Sequence, residues 1–282
     1  MTFDLGWLQA AFPELIDLKL LNQGGQKWVF RCADRDHSLC AFKLVKPGAG
    51  VYADREVEAV RRVAAPNIPR IWAHGIVVSP IGPLIWLLEQ WVDGIDLCNL
   101  LKKGALSASQ VLSLGADLIS AAADAEAVQV VHRDIKPGNI KLDASGRAWL
   151  LDFGIARVLD LDSITCSDAI SGPHSLGYSA PEQVRNRKHD IDGRSDLFAI
   201  GVVLYEAAIG TNPFLMGARD RLEILQRVET VPLPLLNLSW DSSHDFAYFV
   251  SSLTQKYRHQ RPTTCREALE WFTEIQRRLG GT

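Results

Sequence analysis

The 282-residue sequence lacks the usual marks of a disulfide-stabilised, zinc-binding or membrane-spanning protein. Its five cysteines are scattered, with no CxxC pair and no Cys/His cluster, which favours reduced thiols over disulfides or a zinc site. The most apolar run, residues 81–88, is far shorter than the roughly 20 residues that span a bilayer. Residues 1–10 have no basic segment of the kind that begins a signal peptide. We therefore expect a soluble, cytoplasmic chain with no membrane segment.

An excess of charge of one sign is also missing. Lys and Arg number 30 and Asp and Glu 33, for a formal net charge of −3. Because nucleic acids and anionic membranes attract basic proteins, this balance favours neither as a partner. Hydrophobic residues make up 47% and charged residues 22%, which is the composition of a globular protein. The length suits one large domain or two lobes, and the oligomeric state is left undefined.

The first ninety residues predict a sheet with one main helix. Residues 3–12 form a short amphipathic pattern, which would either cap the sheet or contact another molecule. Residues 54–64 place Val57, Val60 and Val63 on one helical face. Five runs rich in apolar residues predict strands: 18–21, 28–32, 39–45, 71–78 and 84–91.

Beyond residue 93 the pattern is mainly helical. Helical periodicity predicts five helices: 107–127, 196–209, 218–228, 243–255 and 264–279. Residues 132–194 are dense in Gly, Asp, Pro and Ser and predict loops. A long loop zone inside a compact domain is usually functional. Residues 92–94 suit a hinge, which divides the chain into residues 1–92 and 93–282.

The loop-rich zone contains the residue types that phosphoryl transfer requires. Residues 132–139 read His-Arg-Asp-Ile-Lys-Pro-Gly-Asn. Phosphoryl transfer needs an aligned hydroxyl and a metal ion that neutralises the phosphates. Asp134 can accept a hydrogen bond from the attacking hydroxyl, and Lys136 can balance charge on the transferred group. Asn139 and Asp152 offer a neutral and a charged oxygen to the metal ion.

These residues resemble the signatures of the eukaryotic-like (Hanks-type) protein kinase family, in a style that looks bacterial. The match includes the catalytic loop, Asp-Phe-Gly at residues 152–154 and Ala-Pro-Glu at residues 180–182. It extends over about residues 18–272. The resemblance implies a bilobal α+β kinase fold. Residues 1–92 would form the N-lobe, an antiparallel sheet with one main helix and a short N-terminal helical extension, and residues 93–282 a mainly helical C-lobe.

The same resemblance implies an ATP-dependent kinase that acts on serine or threonine hydroxyls of proteins, with Mg²⁺ or Mn²⁺ as the metal. Lys43, in the sequence Ala-Phe-Lys, would grip the α- and β-phosphates. An ungapped match makes Glu56, rather than Glu58, the acid that pairs with Lys43. Val29 and Ala41 would cover the adenine ring. Serine/threonine specificity is implied by Lys136, which lies two residues after the catalytic aspartate.

The loop that covers the phosphates departs from the family pattern. The family has Gly-x-Gly-x-x-Gly-x-Val, whereas residues 22–29 read Asn-Gln-Gly-Gly-Gln-Lys-Trp-Val. Gly24 and Gly25 would still let backbone N–H groups approach phosphate. Asn22 would adopt similar dihedral angles at small cost. Lys27 would either add a phosphate contact or be a solvated turn lysine, and the second reading is favoured.

Two further positions differ from the family. Lys141 stands where an apolar residue usually forms the floor under adenine, and its methylene stem would lie under the base. An ungapped match to the hinge puts Glu89 at the gatekeeper position, whereas a slip of one residue would put Leu88 there. Because a buried unpaired carboxylate is costly, we expect Leu88 to be the gatekeeper and Glu89 a hinge residue.

Other conserved family contacts are implied outside the nucleotide site. Glu182 would pair with Arg261, and Asp196 would hold the backbone of the catalytic loop. Arg133, directly before the catalytic aspartate, suggests control by phosphate on the activation segment. Four hydroxyl residues are the candidate autophosphorylation sites: Ser163, Thr165, Ser167 and Ser171. Acidic residues of the same segment would supply the anion without phosphate: Asp160, Asp162 and Asp168.

Two other classes share this fold. A small-molecule kinase is disfavoured because residues 152–182 have the length and the Ala-Pro-Glu ending found in kinases that act on proteins. A pseudokinase, or nucleotide-binding regulatory module, is disfavoured because the residues for nucleotide, metal and hydroxyl are all present. The changed glycine loop keeps that second alternative open.

Overall fold

The computed structural model describes residues 5–23, 27–36, 38–45, 57–58, 60–63, 65–153 and 176–280. These residues divide into two compact units. The sheet unit contains the described residues up to 61 and those from 69 to 92. The helical unit contains residues 62–68 and the described residues from 93 onward. The sheet precedes the helices, which confirms the predicted α+β class of kinase fold.

The sheet unit contains one helix before a five-stranded antiparallel sheet. The helix α1 spans Leu5–Ala11. The strands are β1 (Ile16–Gln23), β2 (Lys27–Ala33), β3 (Leu39–Val45), β4 (Ile71–Ser79) and β5 (Gly82–Gln90). Their spatial order is β1-β2-β3-β5-β4, so β3 pairs with both β2 and β5. All five predicted strands are confirmed.

One face of this sheet is covered by the N-terminal helix. Leu8 is fully buried, and it packs in one core cluster with Phe30 and Phe42 of the sheet. The rings of Phe12 and Phe42 meet edge to face at 4.7 Å. The helix therefore caps the sheet, which was one of its two predicted roles.

The other face of the sheet is contacted by the described part of the predicted main helix. Val57 and Val60 have helical backbone and are buried, as their spacing predicts. Glu58 lies 3.6 Å from the His74 ring of β4 and 3.2 Å from Arg61. Much of the predicted 54–64 helix, including Glu56, lies outside the described residues.

The helical unit is built around one buried helix. The main helices are α2 (Leu97–Leu101), α3 (Ala108–Ala127), α4 (Pro181–Val184), α5 (Gly193–Ile209), α6 (Arg221–Thr230), α7 (Asp245–Leu253) and α8 (Cys265–Gly280). Ser107 and Gln110 form a capping box at the start of α3. Nearly every residue of α5 is buried, as its unbroken apolar sequence predicts.

A small antiparallel sheet has two of its three strands inside the segment predicted as loop. Its strands are β6 (Ile95–Asp96), β7 (Ile140–Leu142) and β8 (Ala148–Leu150). Gly94 precedes β6, where a Cβ atom would stand 2.5 Å from the carbonyl oxygen of Leu142. Only glycine permits that approach. None of the helices in the described part of the chain is long and apolar enough to cross a membrane.

One buried amine of the helical unit is not matched by a hydrogen-bond acceptor. Lys256 Nζ lies 4.4 Å from the ring centre of Phe214 and 5.4 Å from that of Phe198. Among the described residues, no hydrogen-bond acceptor reaches this nitrogen. Burial, followed by repulsion from Arg261, lowers the pKa of Lys256 to about 7.

We expect Lys256→Met to stabilise the protein most at and below pH 7. The lysine pKa is lower in the folded chain, so the unfolded chain binds more protons between pH 7 and 10.5. The free-energy cost of burying the protonated lysine is therefore greatest below pH 7 and decreases towards pH 10.5. Thermal melts should show a gain of about 1–3 kcal/mol at pH 6.5. The exposed Lys103→Met variant is the control, and a gain independent of pH would contradict the prediction.

Candidate active site

The backbone of the predicted catalytic loop is held by one buried carboxylate. Asp196, in the first turn of α5, is 2% exposed. Its Oδ2 accepts a hydrogen bond from the amide of His132 at 2.7 Å, and its Oδ1 from the amide of Arg133 at 2.8 Å. Burial raises the pKa of Asp196, while His132 and the two amides act against that rise. The predicted role of Asp196 is confirmed.

The loop turns through an unusual backbone conformation at Arg133. Its φ angle is 68°, in the left-handed region that costs a non-glycine residue about 1–2 kcal/mol. Gln183 Nε2, from α4, donates to the carbonyl oxygen of Arg133 at 2.8 Å. The Asp196 carboxylate receives the Arg133 amide, so both sides of this residue are tied down. Gln183 was missed from the sequence, although it directly follows the Ala-Pro-Glu signature.

The loop presents Asp134 with its carboxylate already oriented. Lys136 Nζ lies 2.8 and 2.7 Å from the two carboxylate oxygens of Asp134. Asn139 Nδ2 donates to Oδ2 at 2.9 Å and to the Asp134 carbonyl at 2.8 Å. The Asp134 side chain is 34% exposed, so a hydroxyl can reach it. The three residues predicted from the motif therefore form one connected group.

The two predicted metal ligands are brought together by backbone contacts. The amide of Leu151 donates to the carbonyl oxygen of Asn139 at 2.8 Å, and Asp152 follows directly. Asn139 uses Nδ2 on Asp134, which makes Oδ1 the side-chain atom suited to a metal. Asp152 has a φ angle of 62°.

This donor set fits magnesium. Mg²⁺ takes one or two carboxylates and completes its shell with water and substrate phosphates. Within the described ranges, no group of three or more His, Cys, Asp or Glu side chains could hold a metal ion. A pair of oxygen donors such as Asn139 and Asp152 therefore suits a metal that arrives with a nucleotide.

The sheet unit places the predicted nucleotide residues on one face. In β3 and its neighbours, Val29 lies opposite Lys43, and Ala41 lies opposite Glu89. Directly opposed residues of an antiparallel pair point to the same face. Val29, Ala41 and Lys43 therefore share a face, as the resemblance implies. Asn22, at the end of β1, lies opposite Val29.

The expectation that Leu88 is the gatekeeper is wrong. Leu88 lies opposite Phe42 and packs against the core cluster beneath α1, so it faces away from Lys43. Glu89 is the residue on the Lys43 face, as the ungapped match indicated. It is 5% exposed and forms an ion pair with the Lys43 ammonium. The cost of burying an unpaired carboxylate favours the slip, but the Glu89 carboxylate is paired with Lys43.

Lys141 lies in the middle strand of the small sheet of the helical unit. Its neighbours Ile140 and Leu142 are buried, and strand alternation puts Lys141 on the opposite face. Asp96 and Trp149 are its cross-strand partners. Its placement under adenine stays a prediction.

Several predicted residues lie outside the described residues. They are Gly24, Gly25 and Glu56 of the nucleotide site and the activation-segment hydroxyls Ser163, Thr165, Ser167 and Ser171. The ion pair between Lys43 and Glu56, and the autophosphorylation hypothesis, therefore stay predictions. Glu58 contacts His74 and Arg61, so it fits the prediction that it is not the acid for Lys43.

The end of the Ala-Pro-Glu signature is anchored by a buried ion pair. Arg261 Nη1 and Nη2 lie 2.7 and 3.0 Å from the two carboxylate oxygens of Glu182. The Ser195 hydroxyl donates to Glu182 at 2.7 Å. Burial alone would raise the pKa of Glu182, but Arg261 and Ser195 hold it below its ordinary value. The predicted pair is confirmed.

Comparison with known proteins agrees with this geometry. The family model for the protein kinase domain matches residues 16–272. Serine/threonine-protein kinase PknB of Mycobacterium leprae is 30% identical over 224 residues, which cover 76% of this chain and 35% of that protein. PknB of Mycobacterium tuberculosis is 30% identical over 226 residues, covering 77% and 35%. PknD of the same species is 31% identical over 228 residues, covering 77% and 33%.

The chain belongs to the protein kinase domain family. The resemblance to bacterial Hanks-type kinases is thereby confirmed. The chain spans about a third of the length of the curated relatives that it matches.

We expect Arg261→Met to destabilise the protein by about 3–5 kcal/mol at pH 7, because it leaves the Glu182 carboxylate buried without its cation. The pKa of Glu182 is lowered in the folded chain. The stabilisation is therefore complete above the ordinary value of 4.5 and is lost as pH falls through the lower folded value. Urea denaturation at pH 7 and pH 3.5 should show the deficit shrinking in acid. The exposed Arg266→Met variant should cost less than about 1 kcal/mol at both pH values.

Proposed function

We propose that this chain is a serine/threonine protein kinase that transfers the γ-phosphate of ATP to hydroxyl groups of protein substrates. The observation that carries the proposal is the Asp134 carboxylate, oriented by Lys136 and Asn139 in a loop that Asp196 holds. The curated relatives are named serine/threonine-protein kinases, and Lys136 fits that specificity.

Asp134 and Lys136 have separate tasks in this reaction. Asp134 would accept a hydrogen bond from the substrate hydroxyl and align its oxygen for attack. Lys136 would balance negative charge on the transferred group, since its ammonium is held beside the same carboxylate. Both side chains are partly exposed, which a protein substrate requires.

The family resemblance implies which residues would hold the nucleotide and which the metal ion. Lys43 would bind the α- and β-phosphates, and Asn139 and Asp152 would hold the metal ion. Mg²⁺, or Mn²⁺ as the alternative, neutralises phosphate charge when it is bound. The remaining residues proposed to bind or support the nucleotide are Asn22, Gly24, Gly25, Val29, Ala41, Glu56 and Lys141.

We expect Asp134→Asn to lower phosphate transfer by roughly 10²–10⁴-fold and to leave ATP affinity within about twofold. Asp134 acts on the hydroxyl, whereas the nucleotide is bound by other residues. Labelled ATP with a generic protein substrate measures transfer, and calorimetry measures ATP affinity. Asp124→Asn is the matched control, because Asp124 lies on α3 and its carboxylate is 3.8 Å from the exposed Arg266. Full activity of Asp134→Asn would remove Asp134 from its proposed role.

The products of the same reaction distinguish a protein kinase from a pseudokinase and from a small-molecule kinase. Phosphoserine or phosphothreonine in the protein substrate supports the proposal. Nucleotide binding without transfer would indicate a pseudokinase, and transfer only to small hydroxyl compounds would indicate a small-molecule kinase. Mass spectrometry of the enzyme, with Asp134→Asn as the inactive control, reports autophosphorylation among residues 163–171.

We expect Asp152→Ala to lose the Mg²⁺ dependence of nucleotide binding. Wild-type affinity for ATP should rise with Mg²⁺ concentration, because the charged oxygen of Asp152 holds the ion. Without that charge the titration should become nearly flat, and activity should fall by at least about 100-fold. Calorimetric titrations with ATP, without Mg²⁺ and at about 5 mM Mg²⁺, make the comparison. A wild-type response to Mg²⁺ would exclude Asp152 as the ligand.

A further inference from the structure

The buried ion pair between Lys43 and Glu89 is not explained by the assignments above. Lys43 and Glu89 are each 5% exposed, and both side chains are almost fully removed from solvent. The Lys43 ammonium donates a hydrogen bond to Glu89 Oε2. A charge pair at this depth loses its hydration, so its partners must satisfy each other.

The strand register explains why these two charges meet. Lys43 lies opposite Leu87 across the β3–β5 ladder, and Glu89 lies opposite Ala41. Each residue is therefore two positions from the other's partner, which is the diagonal neighbour on the same face of the sheet. Long side chains reach across that diagonal distance. The pair is thus fixed by the pairing of two central strands.

Moving the Lys43 ammonium out of this pair would take away the cation that the buried Glu89 carboxylate contacts. If the ammonium moved away from Glu89 towards a phosphate, the carboxylate would stay buried beside an anionic ligand. Such an arrangement is unfavourable, since a buried carboxylate needs a cation or donors. The ammonium has three hydrogens and can serve a carboxylate and a phosphate together. Shared contact is therefore the favoured arrangement when a nucleotide is bound.

An acidic residue on a strand and one on the neighbouring helix are positioned by different contacts. Glu58, from the helical segment on this face, contacts His74 and Arg61, and its side chain is 56% exposed. A helix-borne acid reaches a strand residue only when the helix lies at the correct place on the sheet. Glu89 belongs to the strand paired with β3, so its distance to Lys43 is set by backbone hydrogen bonds.

We propose that Glu89 is a positioning residue that holds the Lys43 ammonium ready for phosphate. This proposal rests on the function proposed above, because it assigns phosphate binding to Lys43. It predicts that nucleotide affinity depends on Glu89 and not on the exposed Glu58.

The test compares Glu89→Gln, Glu89→Asp and the control Glu58→Gln. Calorimetry measures the Kd for Mg²⁺ with a non-hydrolysable ATP analogue, and steady-state assays separate KM for ATP from kcat. We expect Glu89→Gln to raise Kd and KM for ATP at least about tenfold, which corresponds to 1.4 kcal/mol. Glu89→Asp should recover part of the loss, because it retains the charge. Glu58→Gln should match wild type, because that side chain is 56% exposed and contacts His74 and Arg61.

A pH series distinguishes positioning from a general structural effect. An ammonium that loses a buried carboxylate releases its proton more readily. The Kd of Glu89→Gln should therefore rise between pH 7 and pH 9, whereas the wild-type Kd stays flat. Circular dichroism melts check folding, and Glu89→Asp keeps the test valid if Glu89→Gln does not fold.

A further measurement needs neither nucleotide nor activity. Labelling with an amine-reactive acyl ester, read by peptide mass spectrometry, should modify Lys43 several times faster in Glu89→Gln than in wild type. If wild type binds nucleotide without transferring phosphate, the proposed function fails, while the Kd series still tests Glu89. Unchanged Kd and labelling in Glu89→Gln would overturn the proposal. Tighter binding would show instead that Glu89 competes with phosphate.

Discussion

The geometry of the catalytic loop depends on the buried carboxylate of Asp196. Residues 132 and 133 donate their amides to it, and Arg133 there adopts a left-handed conformation. A conformation of this cost persists only when surrounding contacts fix it. Asp196 comes from a helix that is buried on nearly every side, so its position is set by the core of the helical unit. The core thereby determines where Asp134 points.

The same helix connects the loop to the Ala-Pro-Glu signature. Ser195, next to Asp196, donates to Glu182, and Arg261 closes the contact from the segment before α8. Gln183, next to Glu182, donates to the carbonyl of Arg133. Two neighbouring residues of α5 and two of α4 thus hold the catalytic loop and the signature in one hydrogen-bonded network. Loss of one member would disturb both.

Motifs whose residues act close together in sequence could be predicted well. Asp134, Lys136 and Asn139 lie within six positions, and the structure places them in one connected group. The five strands and the long helices also followed from periodicity, because their apolar faces are long enough to show a period. Strands β6 to β8 were missed since two or three residues are too few to show alternation. Their pairing depends on contacts distant in sequence.

The prediction that Leu88 is the gatekeeper is wrong for a different reason. Sequence alone gives the cost of burying Glu89 but not its partner, and the partner decides the sign of the effect. A shift of one residue moves a side chain to the other face of a sheet, so Leu88 and Glu89 cannot exchange roles. The ungapped match contained the correct register. Pairing with Lys43 offsets the cost of burying Glu89, which by itself favours the other register.

The Lys43–Glu89 pair also shows how one sheet fixes the positions of two opposite charges. Lys43 and Glu89 are held by ladders that are complete before any ligand arrives, and the face opposite them is covered by α1. The backbone positions of Lys43 and Glu89 are therefore fixed by one sheet. Contacts within one rigid element reduce the entropy that ligand binding must overcome. In the helical unit, the loop that contains Asp134 is likewise held by a buried group, because Asp196 accepts two of its backbone amides. In each unit, the charged group that would meet the ligand is oriented by a buried partner of opposite charge or by a buried acceptor.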